Sequence, residues 1–120
     1  MKRRLFALAI ALLLAVSLPV SALAATWYLE NGDITIRATE DGQYVSQGDN
    51  AAVEDNTPVI KQNEQNDSST ATDKTITIDA EKDATANVTL DGVNIVIDNT
   101  WEHQGTAGIR TTGEGNVTIE

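Results

Sequence analysis

The sequence predicts an all-β fold and, within that class, a right-handed parallel β-helix. Three observations point there. Beyond an apolar leader, Val, Ile and Leu recur two apart in short clusters, and no run has helical periodicity. The pentapeptide Asn87-Val88-Thr89-Leu90-Asp91 returns, conservatively changed, as Asn116-Val117-Thr118-Ile119-Glu120 at an offset of 29. Finally, the sequence ends on a strand pattern with no turn or cap after it, which predicts the first coils of a longer solenoid.

Residues 1–24 read as a secretory signal peptide. Lys2, Arg3 and Arg4 form the basic start, residues 5–20 an uncharged apolar run closed by Pro19, and Ala22 and Ala24 the small-residue pair that a signal peptidase reads. The run falls short of the ~20 apolar residues that span a bilayer. Cleavage is expected after Ala24, with Ala25 as the alternative, and no membrane insertion is expected afterwards. Residues 25–120 then form one incomplete β-solenoid domain, exported to the medium or the cell surface.

The leader carries three of the 8 basic residues, so the mature part holds 5 basic against 18 acidic side chains, a net charge of −13. Such a surface repels phosphate backbones and anionic lipid, which argues against nucleic acid as a partner. It suits uncharged sugars or divalent cations. With no cysteine, neither a disulfide framework nor the acceptor thiol of a lipoprotein is available.

The elements follow in order. Trp27-Tyr28-Leu29 is β-prone, Glu30-Asn31-Gly32-Asp33 carries an Asn-Gly turn signal, and Ile34-Thr35-Ile36-Arg37 alternates strictly. Asp41-Gly42 marks the next turn, before Tyr44-Val45. From Ser46 to Lys74 the composition turns polar, with Val59-Ile60 as the one apolar island. Residues 61–74 read as a solvated loop with nothing to bury. Ile76 and Ile78 alternate, as do Val88 and Leu90. Beyond Gly92 the parity shifts, so that Val93, Ile95 and Ile97 share a face. Discounting residues 99–106 as an excursion, the 29-residue offset shrinks to about 21, at the low end of solenoid repeats. The competing architecture is an antiparallel β-sandwich, in which Leu90-Asp91-Gly92-Val93 makes a two-residue hairpin.

Few residues could carry chemistry. His103 is the single histidine and has no nucleophile–acid constellation around it. Asp79, Asp91 and Asp98 each close an apolar strand, and stacked coils would bring such positions together at a corner as oxygen ligands for calcium. The competing role for them is turn formation. Trp101, in the polar excursion, offers a flat face to a pyranose, while Trp27 and Tyr28 suit a lid over the end of the core.

Thr26-Trp27-Tyr28-Leu29, Asp33-Ile34-Thr35-Ile36, Thr57-Pro58-Val59-Ile60, Thr75-Ile76-Thr77-Ile78, the stretch from Asn87 to Ile95, and Gly113-Glu114-Gly115-Asn116-Val117-Thr118-Ile119 together resemble the amino-terminal part of large surface proteins of Firmicutes. Those proteins carry parallel β-helix domains described as carbohydrate-binding, similar to a clostridial family that binds cellulose and acidic plant polysaccharide with bound calcium. The resemblance implies a bacterial, non-catalytic, adhesive module for a polysaccharide or other glycan, and assigns no catalytic residue. The alternatives are a polysaccharide lyase, needing a Lys or Arg base beside carboxylates, and a purely structural surface stalk.

Overall fold

The computed structural model describes residues 25–98 and 106–120. The leader through Ala24, Trp101 and His103 lie outside the described residues. Within the described residues the chain is all-β: β1 (Thr26–Tyr28), β2 (Ile34–Thr39), β3 (Gly42–Gln47), β4 (Val53–Glu54), β5 (Val59–Lys61), β6 (Ile76–Ala80), β7 (Thr85–Asp91), β8 (Ile109–Thr112) and β9 (Asn116–Ile119). A 3₁₀ turn, Leu29–Asn31, follows β1. No helix among the described residues is long and apolar enough to cross a membrane.

The strands form two sheets. One has the order β1-β5-β7-β9, and all its neighbours are parallel. The other has the order β4-β3-β2-β6-β8. It is mixed: β2, β6 and β8 run parallel, while β3 and β4 are attached antiparallel at one edge. Outside the β2–β3–β4 excursion, successive strands alternate between the sheets.

These pairings correct two expectations and place a third. The antiparallel sandwich is excluded, because β7 is flanked by parallel partners on both sides and Leu90-Asp91-Gly92-Val93 makes no hairpin. The Asn31-Gly32 turn joins strands of different sheets, so it is a corner. The antiparallel connections are β2–β3, closed where Thr39 faces Gly42, and β3–β4. The 29-residue repeat is also not the structural register, since Asn87 lies beside Thr118 and Val88 beside Ile119, 31 residues apart. A two-residue slip preserves side-chain parity, so both registers point the same residues inward.

The core is built from rows that run across the strands. Ile34, Ile76 and Ile109 occupy one row, Ile36, Ile78 and Thr111 the next, and Ala38 lies beside Ala80. In the other sheet Trp27, Ile60 and Leu90 share a row, followed by Ala86 with Val117 and Val88 with Ile119. Residues of both sheets meet in one apolar cluster, on which Trp27, Leu90, Val93, Ile95 and Val117 pack half-buried. The β-branched side chains suit the pleat, and full burial of each isoleucine contributes about 1.5–3 kcal/mol. Val93, Ile95 and Ile97 do share a half-buried face, but the only strand-like contact there, among the described residues, is the bridge of Ile95 to Thr72.

One corner is tight. A Cβ on Gly113 would overlap the carbonyl oxygen of Ala80, and its φ of +88° already favours glycine.

Candidate functional site

Strand alternation that sends Ile34, Ile36, Ile76 and Ile78 inward sends Thr35, Arg37, Thr77 and Asp79 to the outer face of the five-stranded sheet. Register then aligns two polar rows there. The first runs Glu54, Tyr44, Arg37, Asp79, Thr112, one residue from each of the five strands. The second runs Ser46, Thr35, Thr77, Arg110. With strands ~4.8 Å apart, the first row extends about 19 Å.

Two contacts order this face. Arg37 Nη2 donates to Glu81 Oε1 at 2.6 Å. That hydrogen bond first, and the charge of Glu81 second, raise the guanidinium above its ordinary value, so it stays a cation. Thr112 Oγ1 donates to Asp79 Oδ1 at 3.1 Å. Tyr44 is half-buried beside Arg37. The row thus presents an aromatic ring, a fixed cation, carboxylates and a hydroxyl.

The three aspartates singled out for calcium are spread over the molecule. Asp79 lies in the outer row just described. Asp91 ends β7 in the other sheet, where Lys61 Nζ lies 3.4 Å from its Oδ2. Asp98 lies beyond β7 beside Asp73, in a cavity of about 170 Å³ lined also by Thr75, Ile97 and Thr106. Among the described residues no three His, Cys, Asp or Glu side chains gather closely enough to hold a metal ion.

Sequence reasoning missed the buried polar residues that shape the corners. Gln43 accepts from Asn87 N–H at 2.8 Å and donates to the Asn87 carbonyl at 2.8 Å and the Asp55 carbonyl at 3.0 Å. Gln62 repeats the arrangement. It accepts from Asn94 N–H at 2.9 Å and donates to the carbonyls of Asn94 and Thr70, both at 3.1 Å. Each amide acts as a surrogate peptide group that continues a ladder where the backbone turns away. Gln62 is fully buried, so the polar stretch 61–74 does bury a side chain. Gln47 similarly donates to the carbonyls of Tyr28 and Gly32. Alternation about Val45 would have found Gln43 and Gln47, since all three share a face. Gln62 follows Ile60 at the same parity. No buried side-chain nitrogen or oxygen among the described residues lacks a partner.

No family model, curated protein or solved structure matches this chain, so the chemistry of the outer face stands on its own residues.

Proposed function

We propose that this chain is an exported, cell-surface carbohydrate-binding module built on a parallel β-helix, and that the outer face of its five-stranded sheet is the binding surface. The observation that carries the reading is the five-residue row from Glu54 to Thr112, centred on Tyr44 and Arg37. A Tyr ring covers the apolar C–H face of a pyranose, and flanking charged and hydroxyl groups bond its hydroxyls. The row's length suits several sugars of an extended polysaccharide. The parallel pairing of β1-β5-β7-β9 and of β2-β6-β8, with strands alternating between sheets, supports the β-helix.

A lyase reading draws on Arg37, Asp79 and Arg110 sharing this face. It is the weaker one, because a proton-abstracting base must be neutral and free, whereas the Arg37 guanidinium is engaged by Glu81 at 2.6 Å. Calcium enters the proposal through Asp79 alone in this row, since Glu54 lies three strands away, with the remaining oxygen ligands drawn from the glycan and water.

The test is retention of the exported protein on insoluble polysaccharides and a glycan array, with calcium and with chelator. Retention lost in Tyr44→Ala and Arg37→Ala supports the face. Retention lost only in Trp101→Ala moves the site to the 99–106 segment. No retention on any glycan leaves the structural-stalk reading, and depolymerisation with a new unsaturated sugar end shows a lyase.

A further inference from the structure

Asp55 is 3 % exposed, yet no lysine or arginine among the described residues lies within salt-bridge distance of its carboxylate. Three N–H groups surround it. Trp27 Nε1 donates to Oδ2 at 2.8 Å, Thr57 N to Oδ1 at 3.1 Å, and Ala25 N to Oδ2 at 3.3 Å. The carboxylate is fixed from behind as well, because Asp55 N–H donates to the Gln43 carbonyl and the Gln43 amide donates back to the Asp55 carbonyl. Ala25 is fixed too, its carbonyl accepting from Val59 N–H at 3.0 Å. A buried carboxylate without a cation is costly, and the longest of its three contacts is to the nitrogen at the expected cleavage point.

We propose that Asp55 is the receptor for the amino terminus created by signal-peptide removal, and that the cut lies between Ala24 and Ala25. This inference rests on the export reading, not on carbohydrate binding. Hydrolysis breaks the Ala24–Ala25 C–N bond. Water supplies the oxygen of the new Ala24 carboxylate, and the freed Ala25 amine takes up a proton to become an ammonium. The nitrogen that donated one neutral N–H to Asp55 now carries a positive charge and donates to the same oxygen as an ammonium, and such charge-assisted contacts are shorter and stronger. A cut after Ala25 would remove both this nitrogen and the carbonyl that anchors Val59. An uncut chain would keep a neutral amide against the buried carboxylate. Processing therefore completes the fold at β1, and the precursor is the less stable form.

The experiment expresses the full 120-residue chain in a secreting bacterial host. It determines the first residue of the exported product by mass spectrometry, and measures urea denaturation before and after selective acetylation of the α-amine. Ala25 is expected as the first residue, and acetylation should lower the folding equilibrium constant about tenfold, the scale of a hydrogen bond to a charged group. In Asp55→Asn the same acetylation should change it less than about twofold. If that variant does not fold, reactivity decides: the wild-type α-amine should acetylate more slowly in the native protein than in urea. Equal acetylation effects in both proteins, equal reactivity in both conditions, or a different first residue overturns the pairing and leaves export standing. A product that retains its leader overturns both.

Discussion

Ile76 and Ile109 are neighbours in one row, have the same side chain and point the same way, yet Ile76 is fully buried and Ile109 is 39 % exposed. The other sheet repeats the contrast, with Val88 buried beside an Ile119 that is 44 % exposed. Residue type and parity decide which way a side chain points. How deeply it is buried depends on having a parallel strand on each side, and among the described residues β8 and β9 have one each. At the opposite edge the chain supplies cover by a different device, since β3 folds back antiparallel on β2 and keeps Ile34 and Ile36 buried. Stability should therefore be distributed by row position.

The sharpest way to break that comparison is a matched pair of truncations. Ile76→Ala opens a void between β2 and β8 and should cost about 3–4 kcal/mol in urea denaturation. Ile109→Ala removes a side chain already meeting water and should cost less than about 1 kcal/mol. Equal losses would mean that β8 is covered in solution.

The same dependence on a following segment holds for polar groups. Gln62 is buried only because residues 70 and 94 cross it and accept its amide hydrogens. Gln62→Leu keeps much of the volume but strands Asn94 N–H and the Thr70 carbonyl, while the Asn94 carbonyl keeps Thr72 N–H, and should cost about 2 kcal/mol by the same measurement. A neutral outcome would show that water replaces the amide, and that this corner is more open than the apolar rows.

The sequence made one half of this architecture readable. Parity about Ile34, Ile36, Ile76, Ile78, Ala86 and Val88 marks the inner face, because a strand's two-residue period is local. Partner choice is not local. Rows join residues 42 apart between β2 and β6, 33 apart between β6 and β8, and 31 apart between β7 and β9. The intervals from β1 to β5 and from β5 to β7 are 33 and 30, so the spacing varies between 30 and 42 and no exact period marks the partners. For the same reason the outer row of Tyr44, Arg37 and Asp79 could not be assembled in advance, although each residue's outward parity was legible. Gln43 and Gln62 were missed because polarity was read as exposure, when a primary amide can substitute for a peptide group.

The outer face should be indifferent to row position in stability and sensitive in binding. Tyr44→Ala is expected to shift stability by no more than about 0.5–1 kcal/mol, its ring being half-buried, while abolishing retention on the glycan that the wild type binds. A large loss of stability with unchanged retention would make Tyr44 a packing residue and detach the binding proposal from this face.

The smallest effect is expected in the 61–74 loop, where no row is involved. The Ser69 side chain first, and then its backbone N–H at 2.9 Å from Asp67 Oδ1, hold the Asp67 carboxyl below the ordinary carboxylate value. A carboxyl lowered by folding contributes stability above its unfolded value of ~3.9, and that contribution is lost as pH falls through the lowered folded value. Ser69→Ala removes the larger cause and keeps the backbone one, so NMR titration should show Asp67 moving part of the way up to the ordinary value. Because the carboxylate is exposed to water, the denaturation midpoint at neutral pH should barely change. A substantial fall there would mean that this loop is coupled to the rows through Gln62 and Asn94, and that burial by neighbouring segments reaches further than the two sheets.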